Sequence, residues 1–209
     1  MRGAPAPGAA TAGTPGVDRA RIAAAVVEIL AAIGEDPGRA GLASTPQRVA
    51  DAYAEFFSGL RVDPVTHLTD GVPVDGRLGE LVLMRDIEFR SVCEHHLLPF
   101  SGVAHLAYVP RERVVGLGRL ARVVDTLAAR PQLQEHLTEQ VADTLQEGLD
   151  PLGVLVVLDA IHACVSARGT RQSHSSTVTM ASRGSLSDPD ARNGVLALLG
   201  EARSVRAQK

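Results

Sequence analysis

The order of the predicted elements favours an α+β fold, in which helices and strands occupy separate stretches of the chain instead of alternating. Two helical patterns come first, a pair of strand patterns follows, two more helical patterns come next, and a second pair of strand patterns comes last. With 209 residues and 45% hydrophobic content, the chain can bury one sizeable core. We therefore expect antiparallel β pairs packed on two core helices, with a helical unit at the N-terminus.

The N-terminal part of the chain is predicted to be helical. Residues 1–17 are rich in Ala, Pro and Gly without the apolar run of a secretory signal, so they are predicted to form a flexible tail. From Asp18 to Ile33, apolar residues recur at helical spacing. Thr45, followed by a proline, opens a second helix that we expect to end near Gly59. Glycine and proline breakers follow, so residues 18–80 are predicted to form a helical unit with a connecting loop.

The remainder, residues 81–209, is predicted to be a second domain built from four strands and two helices. Alternating or β-branched apolar residues mark the strands, and apolar residues three and four apart mark the helices. The strands are predicted at 81–93, 103–109, 154–165 and 175–182, and the helices near 120–127 and 133–145.

Composition and charge exclude several classes of protein. The net charge is -3 and aromatic residues make up only 3% of the chain, which offers neither a positive field nor stacking platforms for a nucleic acid. Charged residues interrupt every apolar run well before the roughly 18 residues that a membrane span needs. Two cysteines are too few for a disulfide framework, so a reducing, cytoplasmic location is expected.

Both cysteines have a histidine close by in the sequence. Cys93 precedes His96 in a Cys-x-x-His pattern, and Cys164 follows His162 by two residues on a predicted strand, so that both would point to one face. Thiolate and imidazole are ligands that tetrahedral zinc prefers, and three of them leave one position open for catalysis. Spacing alone leaves open both a zinc site and two unrelated buried cysteines.

Two further histidines would lie beside such a metal. His95 and His162 are general acid and base candidates, because imidazole exchanges protons near neutral pH. The alternative is that they only orient the ligands.

Four runs of sequence resemble the zinc-dependent GTP cyclohydrolase I family, which catalyses the first step of folate and pterin biosynthesis. The runs are TPQRVADAYAEFFSGL, CEHHLLPFSGVAHLAYVP, VVGLGRLARVVDTLAARPQLQEHLTEQVADTL and HACVSARGTRQSHSSTVT, and the resemblance extends over most of residues 18–200. It implies a tunnelling fold with residues 81–209 as the catalytic domain. It also implies a homodecamer of two stacked pentamers, with active sites at the subunit interfaces.

The resemblance implies a role for each residue that matches the family's motifs. The reaction would convert GTP to 7,8-dihydroneopterin triphosphate and formate, with His162 protonating the purine and His95 assisting ribose opening. The implied positions are Cys93, His96 and Cys164 for Zn²⁺; His95 and His162 for proton transfer; Gln134 and Glu135 for guanine; and Arg48, from a neighbouring subunit, with Arg119, Arg122 and Arg168 for the triphosphate. A carboxylate such as Glu135 accepts two hydrogen bonds from guanine that adenine cannot offer.

One motif departs from the family pattern. The family usually has Gly-Leu-Ser-Lys where this chain has Gly116-Leu117-Gly118-Arg119, so a phosphate-binding hydroxyl is absent. A paralogue with altered substrate preference and a non-catalytic nucleotide-binding zinc protein are therefore the alternatives. A zinc deaminase is disfavoured, because the H-x-E and P-C-x-x-C patterns are absent.

Overall fold

The computed structural model describes residues 16–73 and 81–206, with side chains up to residue 200. Most of the predicted tail and part of the predicted connecting loop lie outside these ranges. Two compact units divide the chain between Glu55 and Phe56. The domain boundary after residue 80 stays a prediction.

The first unit contains both of the helices predicted at the N-terminus. Helix α1 spans Arg19–Ala32, and the carboxylate of Asp18 caps it by accepting the Arg21 N–H at 3.0 Å. Helix α2 spans Thr45–Phe56 and begins at the predicted threonine. It ends at Phe56, three residues before the predicted end at Gly59. Phe56 itself belongs to the second unit.

The second unit contains seven strands and four helices within the described residues, together with two short 3₁₀ turns. In chain order these are the turn Pro64–Leu68, β1 (Val72–Pro73), β2 (Val82–Cys93), β3 (Pro99–Val109), β4 (Arg113–Val114), α3 (Leu117–Ala128), β5 (Pro131–Gln132), α4 (Gln134–Leu149), β6 (Gly153–His162), α5 (Ala163–Ser166), β7 (Thr177–Gly184), the turn Ser185–Ser187 and α6 (Pro189–Arg206). The predicted α+β class is confirmed.

The main sheet has five strands in the order β5-β2-β3-β6-β7. Strands β2, β3, β6 and β7 are antiparallel neighbours, and the short β5 runs parallel to β2. Antiparallel pairing brings the end of one strand beside the start of the next, so Phe100 in β3 lies opposite His162 in β6. The ends of β2 and β6 therefore meet at one end of the sheet, where the candidate site residues lie.

Helices α3 and α4 supply the apolar residues that cover one face of this sheet, as predicted for two core helices. Their fully buried residues include Leu120, Val124, Leu137, Val141 and Leu145. A smaller cluster on the second unit joins β3 and β6 to α6 and contains Ala107, Leu155, Val157, Leu186 and Val195. No helix within the described residues is long and apolar enough to cross a membrane.

The structure departs from the predicted elements at two places that matter. Strand β6 ends at His162 because its pairing with β3 ends there, so Cys164 lies on the helical turn α5 and the strand predicted to residue 165 is wrong at its end. Helix α6 was not predicted, since Gly194 and Gly200 weaken its helical pattern. The Asp188 carboxylate caps it by accepting two backbone N–H groups at 3.0 Å.

Candidate active site

A tight turn after β2 positions the Cys93-Glu94-His95-His96 motif. Within it, the Cys93 N–H donates to the Leu98 carbonyl and the Leu97 N–H donates to the Cys93 carbonyl, both at 2.8 Å. Leu97 has φ of 51°, the left-handed conformation that closes the turn. Cys93 is buried, while both histidines are exposed, so the turn presents the imidazoles next to a shielded thiol.

Three predicted ligands come together where the two strands end. The ligand atoms of Cys93, His96 and Cys164 all lie within 4.8 Å of one another, and no other such group occurs among the described residues. Neither thiol is in a disulfide. Burial raises the pKa of the Cys164 thiol and the adjacent Cys93 adds to the rise, while Arg168 opposes it. Two sulfurs and one imidazole fit the ligand preference of tetrahedral zinc, with one position left open.

Arg168 lies against this Cys-His-Cys cluster. Its Nη2 is 2.8 Å from His96 Nε2, and because a guanidinium can only donate, the imidazole nitrogen accepts. Arg168 follows α5, the short helix that carries Cys164, so the same segment supplies a thiol and a cation to the site. One predicted phosphate residue is thereby brought to the predicted metal ligands.

His162 is held at the end of β6 by contacts on two sides. Its ring stacks on Phe100, with ring centroids 4.6 Å apart and the planes inclined by 3°. Its Nε2 lies 2.7 Å from Gln134 Oε1. Burial lowers the pKa of His162, and the negative charge of Glu135 opposes that shift. The histidine that was predicted to transfer a proton therefore has a defined position and a carboxylate nearby.

Gln134 and Glu135, the predicted guanine residues, face different surroundings in the first turn of α4. Glu135 is exposed, whereas Gln134 is 1% exposed and its side-chain amide hydrogen-bonds inside the protein. The side-chain amide of Gln134 is therefore engaged within the protein, and the guanine contact of this residue stays a prediction. Phe100 and the residues around the Gln134 amide were missed by sequence reasoning, since only strand register reveals them.

The remaining predicted phosphate residues are more scattered. Arg119, near the start of α3, donates from Nη2 to Asp70 Oδ2 at 2.6 Å, and Arg122 is exposed one turn later. The space beside Gly118 is open, because a Cβ added there would meet no atom of a non-neighbouring residue within 4 Å. Packing therefore does not require glycine at this position. Arg48 is exposed on α2 in the first unit. Of the four predicted phosphate residues, only Arg168 has a described contact with the Cys-His-Cys cluster.

His95, the other predicted proton-transfer residue, lies next to His96 on the same turn. Their ring centroids are 6.3 Å apart and the rings are nearly perpendicular. The fold and the site together define the class of protein: an α+β enzyme whose candidate active site combines a Cys-His-Cys cluster with two adjacent histidines.

Comparison with known proteins identifies the family. The model of the family described as GTP cyclohydrolase I matches residues 22–200. The chain therefore belongs to the GTP cyclohydrolase I family, and its α+β architecture is the tunnelling fold of that family.

Relatives from several bacteria agree with this identification. The GTP cyclohydrolase 1 of Leifsonia xyli subsp. xyli is 62% identical over 88% of this chain and 97% of its own length. The corresponding proteins of Rhodopirellula baltica and Caldanaerobacter subterraneus subsp. tengcongensis are 52% and 50% identical over 90% of this chain, and over 82% and 100% of their own lengths. A solved structure, the apo form of the archaeosine synthase QueF-Like, has a TM-score of 0.43 and 19% identity over 52% of this chain and 97% of its own, too little to support a conclusion.

Proposed function

We propose that this enzyme hydrolyses GTP to 7,8-dihydroneopterin triphosphate and formate at a zinc ion held by Cys93, His96 and Cys164. The observation that supports the proposal most directly is the placement of these three ligand atoms within 4.8 Å of one another, next to a fixed histidine. Zinc in such a site acts as a Lewis acid that makes water nucleophilic at neutral pH. The unpaired thiols agree with a reducing, cytoplasmic location, which is part of the proposal.

His162 is proposed to protonate a purine nitrogen as the imidazole ring of guanine opens. A general acid must hold a fixed distance to the atom that it protonates, and the Phe100 stack and the Gln134 hydrogen bond restrict the imidazole in that way. His95, exposed on the neighbouring turn, is proposed to assist the opening of the ribose ring. Net consumption of one water accounts for the formate that is released.

Glu135 is proposed to select guanine. Its carboxylate is exposed in the first turn of α4 and is close enough to His162 to affect the pKa of that residue. A carboxylate there accepts hydrogen bonds from the guanine N1–H and the exocyclic amine together, whereas adenine has an acceptor at N1. We therefore expect a strong preference for GTP over ATP.

The triphosphate is proposed to bind the arginines of the second unit and one arginine from another subunit. Arg168 already lies beside the Cys-His-Cys cluster, and Arg119 and Arg122 share one end of α3. Guanidinium groups donate paired hydrogen bonds that match phosphate oxygens. A homodecamer of two pentamers, with Arg48 supplied by a neighbouring subunit, completes the proposal.

The test is formate release from GTP by the purified protein, measured with and without metal. We expect turnover with zinc, loss of turnover after treatment with a chelator, and recovery when zinc but not magnesium is restored. ATP, supplied at the same concentration, is the matched control and should release no formate. Full turnover in protein shown to contain no metal would contradict the proposal.

A further inference from the structure

We infer that Gln134 is a positioning residue that keeps a proton on Nε2 of His162, so that His162 exchanges protons with the substrate through Nδ1. The inference rests on the proposed role of His162 in proton transfer. It concerns the side-chain amide of Gln134, a residue for which the family resemblance implies a guanine contact.

The surroundings of Gln134 determine which way its amide points. Two backbone carbonyls lie close to one end of the amide, that of Leu158 at 3.2 Å and that of Thr177 at 2.8 Å. A carbonyl oxygen can only accept a hydrogen bond, so the atom facing both of them must be the NH₂ group. The reversed amide would place an oxygen against two oxygens in a buried site, which is unfavourable.

A ring of hydrogen bonds, which runs from the backbone of Gln134 through two threonine hydroxyls to its side-chain amide, supports the same orientation. The Thr138 hydroxyl donates to the Gln134 backbone carbonyl at 2.7 Å, so it must accept from Thr179 Oγ1, 2.6 Å away. Because the only hydroxyl hydrogen of Thr179 points to Thr138, its oxygen can only accept from Gln134 Nε2, 3.1 Å away, and the two hydrogens of that NH₂ group are shared among this oxygen and the two carbonyls. Every hydrogen bond in this ring then has one possible direction, and the amide oxygen of Gln134 is left facing His162.

The orientation of the amide determines the tautomer of His162. Gln134 Oε1 has no hydrogen, and it lies 2.7 Å from His162 Nε2. That nitrogen must therefore carry the hydrogen and donate it. The Phe100 ring, parallel to the imidazole within 3°, keeps the ring in this plane. In the neutral imidazole the lone pair then belongs to Nδ1.

Proton transfer at this residue follows from the tautomer. In the imidazolium form both nitrogens carry hydrogen, and the Nδ1–H bond breaks as the proton passes to the purine nitrogen. The electron pair of that bond stays on Nδ1, and Nε2 keeps its hydrogen bond to Gln134 throughout. Without the amide oxygen, nothing in these contacts favours hydrogen on Nε2 over hydrogen on Nδ1.

Replacing Gln134 tests the inference in the zinc-loaded enzyme. In Gln134→Met the side chain keeps its length and loses all its hydrogen bonds, so we expect kcat for formate release to fall about 10- to 100-fold, the range known for groups that orient metal-ligating histidines. KM for GTP should stay within about threefold and zinc content should not change, because the amide does not reach the substrate. The matched control is Gln146→Met, the same substitution about three turns later on α4, where the amide donates to the Pro151 carbonyl at 3.3 Å; its kcat should stay within about threefold of the wild type.

The alternative role gives the opposite pattern. If Gln134 binds guanine through its side chain, Gln134→Met should raise KM with little change in kcat, and that result would overturn the inference. Equal losses in Gln134→Met and Gln146→Met would also overturn it, because they would indicate a general packing defect in α4.

A second measurement probes the nitrogen directly. Replacement of His162 by Nδ1-methylhistidine keeps the imidazole but blocks the atom proposed to exchange the proton, so formate release should fall to the level of His162→Ala. Retained formate release would overturn the inference. The proposed function and the inference can be contradicted separately. Wild-type formate release by His162→Ala would contradict the proposed function. Loss of formate release in His162→Ala, together with an unchanged kcat in Gln134→Met, would contradict only the inference.

Discussion

The two ends of the candidate active site are built in different ways. At the ring-chemistry end, Cys93 and His162 terminate long paired strands, and backbone or buried side-chain hydrogen bonds hold both of them. At the proposed phosphate end, Arg122 and Arg168 are exposed and Arg119 pairs with an exposed aspartate on a loop. The first end is rigid and partly shielded from water, whereas the second is open and has long side chains.

This difference matches what each end is proposed to do. Bond breaking requires donor and acceptor atoms at defined distances, which paired strands and buried hydrogen bonds provide. Binding a triphosphate requires charge more than fixed distances, and long arginine side chains can adjust to it at some cost in conformational entropy. Arg168 is the exception, because it contacts both the solvent and the imidazole of a predicted metal ligand.

The strongest test of the rigid end is removal of a ligand. In Cys164→Ser, loss of a thiolate should prevent stable zinc binding and lower formate release at least about 10³-fold, because water is no longer activated at neutral pH. Metal content by mass spectrometry and kcat are the measurements. Val165→Ala, which truncates the exposed neighbouring side chain, is the matched control and should keep zinc and turnover. A zinc-free Cys164→Ser protein with full activity would show that the cluster is not catalytic.

Arg168 tests whether the two ends are separate. Arg168→Ala removes the charged hydrogen bonds that we propose Arg168 makes to phosphate, so we expect KM for GTP to rise about tenfold or more while kcat changes less. Arg111→Ala is the control, since Arg111 is also an exposed arginine but pairs with Asp150, 3.5 Å away, and follows the opposite end of β3. A fall in kcat and in zinc content with unchanged KM would instead place Arg168 with the rigid end.

The Asp70–Arg119 ion pair gives the smallest expected effect. Asp70→Asn removes the carboxylate that holds Arg119 at 2.6 Å, so the guanidinium becomes available to phosphate and KM for GTP should fall about twofold, in keeping with the energy of an exposed ion pair. Asp150→Asn breaks a comparable exposed pair, with Arg111, neither member of which is a predicted site residue, and should leave KM unchanged. An increase in KM for Asp70→Asn would mean that Asp70 holds Arg119 in its phosphate-binding position.

Most of the fold was predictable because its longest elements have strong periodic patterns. The two N-terminal helices, the two core helices and the four long strands all occur in the predicted order. The two-residue strands β1, β4 and β5 have too few residues to show a pattern, and the glycines of α6 obscure its helical period. The end of β6 at His162 depends on where its partner β3 begins, which the local sequence does not show.

The sequence by itself predicted the Cys-His-Cys set that the structure brings together, and it indicated the family. Two cysteines, each with a histidine within three residues, form an unusual local pattern, and local spacing is what a sequence records directly. Only the tertiary structure decided how Gln134 is used, which ring supports His162 and which carboxylate holds Arg119. Gln134 and His162 are 28 positions apart in the sequence, and Phe100 and His162 are 62 positions apart. Contacts across such separations depend on strand register and helix packing. Gln134 and Glu135 are neighbours in the sequence, but α4 turns the amide of Gln134 toward the core and the carboxylate of Glu135 toward solvent.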